Sequence, residues 1–372
     1  MTNLSKLFFA RNPYKTKSTE AFLEAVRENV RFQQTHCPAY AKILAQRGFS
    51  PEELQSEADL FKIPPLPTLY FKRNRLLSVP QSECVLTAAS SGTRGQKSFV
   101  AFDRKTMFYG IGMAVRFFQY YHLITPIPAH YVVLGYEPSG HADMGAIKTA
   151  YGVTKFAPAL SRTYALRDAG GTYEPNMDDV VRSLERHAKS GFPVRLVGFP
   201  PLLYFLVREL ERRGVQFRLA RGSKILLGGG WKRFGGEAAG REALFSMAEH
   251  ALGIPRKDMF EFFSAVEHPL AYMRCKNGRF HVPAYARALV RDPATLQPVQ
   301  NGEPGLLNLI TPLVSSMPLV SVMTDDIAIV RPGEDCGCGS ESPCFELLGR
   351  AGVRGIKTCA AGAAERAQGG GI

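Results

Sequence analysis

The stretch 88–99, AASSGTRGQKSF, gathers Ser90, Ser91, Gly92, Thr93, Gly95, Lys97 and Ser98 within nine residues. Hydroxyls and glycine N–H groups can wrap a phosphate, and a lysine adds a point charge. This is not a Walker A loop, because Gly92 and Gly95 are separated by two residues where that loop needs four. The same composition also suits a polar surface turn, so the rest of the chain has to decide. A second chemical set is the seven cysteines, Cys37, Cys84, Cys275, Cys336, Cys338, Cys344 and Cys359. Odd in number and unevenly spaced, they point to metal ligation or a reactive thiol rather than to disulfides.

The 372 residues suffice for two domains or one large one with a substantial core. A hydrophobic content of 45% and a charged content of 21% are those of a soluble globular protein. No run of about 18 apolar residues occurs, so no membrane span is expected. The N-terminal MTNLSKLFFARNPY has an apolar core of only four residues, too short for a signal peptide, and we expect a cytoplasmic protein. The net charge is +13, but Lys and Arg are scattered and no aromatic-basic motif accompanies them. That pattern argues against nucleic acid and for a solvated surface biased toward anionic substrates or an acidic protein partner.

The elements that must carry these residues fall into three stretches. Residues 18–62 read as helices, with Phe22, Val26 and Val30 on one face and a helix start at Ser50-Pro51-Glu52-Glu53. Prolines 64, 65 and 67 stop them. From about 84 to 265 strand and helix alternate. Strands are expected at 131–136, 194–197, 225–227 and 259–263, and amphipathic helices end at Gly191 and Gly214. Such alternation implies a mostly parallel sheet with ligands beyond the carboxyl ends of its strands, where Gly228-Gly229-Gly230 and the segment after Phe263 would lie. From about 275 the chain turns β-rich, with strands expected at 286–292, 305–311, 318–323 and 327–330.

Four motifs in order now resemble one family. SSGTRGQKS resembles the SSGTTGxPK phosphate loop of adenylate-forming enzymes, the acyl-CoA synthetase group, with Arg94 and Gln96 departing from its usual Thr and Pro. Phe263-Ser264-Ala265-Val266-Glu267 resembles its YGxTE motif, Met323-Thr324-Asp325-Asp326 its RTxD motif, and Leu348-Gly349-Arg350 its Gly-Arg hinge. The run AVEHPLAYMRCKNGRFHVPAYARALVRDPATLQPVQNGEPGLLNL is similar to the branch of phenylacetate-CoA ligases and LuxE-type acyl-protein synthetases. Only 22 residues follow Arg350, where full adenylate-forming enzymes carry a lid domain on the order of 100 residues. The LuxE-type proteins are similarly short, and Cys359 stands where they carry an acyl-accepting cysteine.

The resemblance implies an α/β fold: a large adenylate-forming domain of mostly parallel sheets flanked by helices, a small β-rich subdomain, and no lid. The expected division is 1–83 helical, 84–274 nucleotide-binding core, 275–350 β-rich subdomain with a zinc site, and 351–372 a tail with the acceptor cysteine. Ser90, Ser91, Gly92, Thr93, Gly95 and Lys97 would hold the β- and γ-phosphates of ATP. Gly228, Gly229 and Gly230 would line the adenine pocket, with Phe263 stacking on the base. Ser264 would contact the α-phosphate and Glu267 would hold Mg²⁺, a hard ion suited to carboxylate oxygen. Asp326, or its neighbour Asp325, would accept bonds from the ribose hydroxyls. Arg350 would reach the ribose or the α-phosphate.

Cys275, His281, Cys336 and Cys338 form C-x5-H…C-x-C, three thiolates and an imidazole suited to a tetrahedral structural Zn²⁺. Asp335 or Cys344 could replace one ligand, and His268 beside Glu267 goes with the active site instead. Cys359 has Arg350, Arg354 and Lys357 nearby to lower its pKa, which suits a thioester-forming nucleophile. His141 lies where a carboxylate substrate could bind. The implied reaction is ATP-dependent conversion of a carboxylic acid, a fatty acid by resemblance, to an acyl-adenylate, with Lys97 and Glu267 catalytic. Transfer to the Cys359 thiol follows, then to a partner such as an acyl reductase. An acyl- or aryl-CoA ligase and a non-catalytic nucleotide-binding scaffold are the alternatives.

Overall fold

Alternation of strand and helix is most regular within residues 124–264, the second of two compact units; the first is built from stretches within 2–123 and 265–351. The computed structural model describes residues 2–15, 19–89, 98–138, 145–170, 172–229 and 240–351. No helix among them is long and apolar enough to cross a membrane.

In the second unit the sheet strands run in the order Met259–Ala265, Lys224–Gly228, Val194–Gly198, Ala129–Tyr136, Ala159–Asp168 and Tyr173–Pro175. Every pairing is parallel except the last. Ala129–Tyr136 is apolar almost throughout because both of its faces are covered, and seven of its eight residues are buried. Helices Met177–Lys189, Pro200–Arg212 and Arg241–Leu252 supply Leu184, Leu203, Leu206 and Leu244 to the same core as Val132 and Leu196. Gly198 closes its strand at φ +148°, where a Cβ would stand 2.0 Å from the Leu134 carbonyl oxygen. Ala159–Asp168 is the strand that the apolar pattern does not announce. It is half-exposed, and its outer neighbour is only three residues long.

At the amino ends of these strands the His130 ring stacks on His187 at 3.8 Å and 10°. Ser161 Oγ lies 2.8 Å from His130 Nδ1 and 3.4 Å from His187 Nε2. Burial, then the charges of His130 and Arg186, hold His187 down to about 4.

The first unit holds an antiparallel sheet ordered Phe280–His281, Cys344–Arg350, Ser321–Arg331, Gly305–Ile310, Arg287–Arg291, with Leu66–Pro67 parallel to Ser321–Arg331. The two strands expected at 318–323 and 327–330 are one strand. The strand continues through polar Thr324-Asp325-Asp326, which bulge out of the pairing with Gly305–Ile310 between Met323 and Ile327, while Asp326 pairs with Arg350 on the other side. The capping box at Ser50 forms, with Glu53 Oε1 accepting from Ser50 N at 2.7 Å. It heads only the 3₁₀ turn Pro51–Glu53, because the chain then turns to bury Leu54 completely.

Residues 311–320 have no regular structure, yet every one is buried. Their backbone must therefore find partners inside the protein. Asn29 Nδ2 donates to the Pro312 and Val314 carbonyls at 2.9 Å, and Gln33 Nε2 donates to Ser315 O at 3.0 Å. Both come from helix Thr19–His36. Ser315 N donates to Thr106 Oγ1 at 3.1 Å, and Ser315 Oγ to Asp103 Oδ2 at 2.8 Å. Asp103 also caps helix Arg104–Tyr120 through Thr106 N. Ser316 Oγ donates to Ala101 O at 2.6 Å, in the antiparallel pair of Cys84–Ala89 with Phe99–Asp103.

Arg291 is 4% exposed and faces only neutral acceptors: Asn308 Oδ1 at 2.8 Å, Phe61 O at 2.9 Å and Leu296 O at 3.0 Å. Burial pulls its pKa down to about 10. It thereby ties the 3₁₀ segment Glu57–Lys62 to the β-sheet.

Gln33→Leu leaves buried carbonyls without donors and should lower the unfolding free energy by about 1–3 kcal/mol, read from urea midpoints. Because His187 binds protons more weakly folded than unfolded, stability falls as pH drops from 6.5 toward 4. The loss should reach on the order of 2 kcal/mol by pH 5. In His187→Phe the loss over that range should shrink, as the same urea titrations would report.

Candidate functional site

The densest group of chemically capable side chains lies in the first unit. The ligand atoms of Cys275, His281, Cys336 and Cys338 are all within 4.8 Å of one another. Cys275 Sγ stands 3.5 Å from Cys336 Sγ, and Cys338 Sγ stands 3.1 Å from His281 Nε2. Two tight turns present the thiols. Gly278, at φ +80°, donates to Cys275 O at 3.0 Å, and Gly337, at φ +67°, separates Cys336 from Cys338. Asn277 Nδ2 donates to Cys336 O at 2.6 Å and Arg279 Nη1 to Asp335 O at 2.5 Å, so each turn holds the other.

His281 Nδ1 lies 3.0 Å from the Ser342 carbonyl oxygen, a bond that puts the proton on Nδ1 and leaves the Nε2 lone pair facing the thiols. Burial opposes ionisation of Cys275, but the hydrogen bonds around its thiol, backbone N–H groups among them, prevail and hold it down to about 6. Burial and the neighbouring Cys275 and Cys338 push Cys336 up to about 12. Three sulfurs and one imidazole nitrogen at these spacings fit a closed tetrahedral site of the zinc type. Among the described residues the group includes neither Asp335 nor Cys344.

Asp326 and Arg350 also come together. They face each other on neighbouring strands, and Arg350 Nε donates to Asp326 Oδ1 at 2.9 Å. Asp326 is buried and Arg350 is about a third exposed. Asp325 lies beside them, its carbonyl accepting from Ala351 N at 2.8 Å. Glu267, 5% exposed, sits in the two-residue turn between Met259–Ala265 and His268–Met273. His268, which follows it, is fully buried, and its Nε2 lies 2.6 Å from the Tyr272 hydroxyl.

In the second unit Gly228, Gly229, Phe263 and Ser264 lie at the carboxyl ends of adjacent parallel strands, the edge where such sheets bind ligands. A Cβ on Gly228 would meet the Phe262 ring at 2.5 Å, so only glycine fits there. Ser264 is exposed. Ser90, Ser91, Gly92, Thr93, Gly95, Lys97, His141, Gly230 and Cys359 lie outside the described residues.

Residue type alone picks out the thiols and His281. It does not reveal Ser342, Asn277 and Arg279 as their supports, since those act partly through backbone carbonyls. The His268–Tyr272 pair carries one weak signal: four residues apart on a strand, both side chains fall on one face.

A family model described as "Acyl-protein synthetase, LuxE" matches residues 3–367. The long-chain-fatty-acid–luciferin-component ligase of Vibrio harveyi is 29% identical over 316 residues, covering 81% of this chain and 77% of that protein. The phenylacetate-coenzyme A ligase of Pseudomonas putida is 24% identical over 332 residues, covering 87% and 70%. Among solved structures, a 2-hydroxyisobutyryl-CoA ligase in its postadenylation state superposes with a TM-score of 0.70 at 16% identity, covering 92% of this chain and 69% of that one. At that identity the likeness is one of fold.

Removing either partner of the Asp326–Arg350 pair should destabilise the protein. A double-mutant cycle of Asp326→Asn with Arg350→Gln should give a coupling of about 1–2 kcal/mol, between the exposed-pair and buried-pair limits.

Proposed function

Because the chain belongs to the LuxE acyl-protein synthetase family, we propose that it activates a long-chain fatty acid with ATP and captures the acyl group on the thiol of Cys359. Acid activation through an acyl-adenylate followed by thioester formation is the chemistry of that family and its relatives. The match across residues 3–367 carries the finer reading, together with the fatty-acid ligase of Vibrio harveyi among the relatives.

In this reading a carboxylate oxygen of the fatty acid attacks the α-phosphorus of ATP, and the bond to pyrophosphate breaks. The Cys359 thiolate then attacks the acyl carbonyl of the mixed anhydride, the acyl–oxygen bond breaks, and AMP leaves. Ser90, Ser91, Gly92, Thr93, Gly95 and Lys97 cradle the departing phosphates. Gly228, Gly229, Gly230 and Phe263 receive the base, Ser264 the α-phosphate, and Asp326 with Arg350 the ribose. Asp326 is supported in that role by burial and by Arg350, which keep its carboxylate oriented. Glu267 is the carboxylate for Mg²⁺, which when bound offsets phosphate charge. The thioester is the donor for a partner protein with its own cysteine, of the acyl reductase class.

Cys275, His281, Cys336 and Cys338 hold a structural Zn²⁺. Four protein donors leave no position open for substrate, and the Ser342 bond orients the imidazole.

Incubation with ATP and radiolabelled fatty acid should put acid-stable, hydroxylamine-labile label on the protein. Cys359→Ser should abolish that label while ATP–pyrophosphate exchange continues. Label passing only to added coenzyme A, with none on the wild-type chain, would overturn the acceptor assignment and favour a CoA ligase like the phenylacetate relatives. Elemental analysis should find about one zinc per chain, and less than about 0.2 equivalents in purified protein would refute the metal assignment.

A further inference from the structure

His268 follows Glu267 directly and opens the strand His268–Met273. It is 0% exposed, and its Nε2 lies 2.6 Å from the hydroxyl of Tyr272, also 0% exposed, with the two rings inclined by only 17°. Among the described residues His268 Nδ1 is buried without a hydrogen-bond partner. Tyr272 is itself held fast. Phe345 meets its ring edge-on at 5.2 Å and stacks on Phe280 at 5.4 Å, and Phe280 immediately precedes His281 of the Cys/His group. At its far end the same strand leads through Arg274 into Cys275, whose N–H donates to Arg279 O at 2.8 Å.

Packing does not explain an imidazole at position 268. Two apolar rings would fill the same volume without burying a lone nitrogen that nothing satisfies. The polar pair adds direction: the bond to the Tyr272 hydroxyl selects one rotamer of His268.

We propose that His268 is a positioning residue for Glu267: its bond to Tyr272 fixes the start of the strand and so the turn that presents the Glu267 carboxylate to Mg²⁺. The proposal rests on the reading of Glu267 as the magnesium carboxylate.

The test is ATP–pyrophosphate exchange titrated with Mg²⁺ at saturating ATP and fatty acid, beside calorimetric melting of each variant. Tyr272→Phe and His268→Phe should each raise the half-saturating Mg²⁺ concentration about tenfold, the scale of an outer-shell support to a metal ligand. The rate at saturating Mg²⁺ should fall by less than about twofold, since the chemistry itself is untouched. In a Glu267→Gln background, Tyr272→Phe should produce no further shift. Tyr272→Phe, which conserves the ring, keeps the test open should His268→Phe melt early. Wild-type Mg²⁺ dependence in Tyr272→Phe, or an equal shift with and without Glu267, would overturn the proposal. If Glu267→Gln alone retains the wild-type Mg²⁺ dependence, the role given to Glu267 fails and the proposal falls with it.

Discussion

The first unit depends on solving one problem, a ten-residue irregular segment with no access to water. Residues 311–320 cannot satisfy their own carbonyls and N–H groups through a ladder. Amide side chains reach them from helix Thr19–His36, and Thr106 and Asp103 reach them from the start of helix Arg104–Tyr120. The strand Phe99–Asp103 joins through Ala101. The segment leads straight into Ser321–Arg331, which carries Asp326. The same bonds that make a buried loop tolerable therefore fix the strand Phe99–Asp103 and the strand of the Asp326–Arg350 pair. Elements 200 residues apart in sequence are placed by one shared set of donors and acceptors.

The second unit is held differently. Its parallel strands satisfy their own backbones, and its helices pack an apolar face against the sheet, so few side-chain hydrogen bonds are needed in that core. That leaves its carboxyl edge free for chemistry. Small residues at strand ends, Gly198 and Gly228, allow close approach where larger ones would collide. The two units thus follow opposite logics: one is specified by polar bonds over long separations, the other by hydrophobic periodicity.

This contrast explains what the sequence discloses. Strands such as Val194–Gly198 and Lys224–Gly228 stand out as short apolar runs between turn signals, and the helices around them show their period plainly. Ala159–Asp168 does not, because a half-exposed strand with Arg, Ser and Thr has no such run. In TPLVSSMPLV the paired serines look like surface punctuation. They are buried because their partners lie in distant elements, and no local window contains those partners. The Cys and His donors declare themselves by type across a gap of 54 residues, whereas Ser342 and Asn277 do not. Ser50 gives a sound cap whose helix fails to follow, since burying Leu54 outweighs helix propensity.

Arg291 has an implication for how this lineage can vary. Its planar fork reaches carbonyl and amide oxygens contributed by three separate segments, with no carboxylate among the described residues to balance its charge. An ammonium on a flexible stem could not address those oxygens from a single plane, so a basic residue of the wrong shape there would be as disruptive as a neutral one. Drift at position 291 should therefore be confined to arginine unless Asn308 and the 61–63 backbone change in concert.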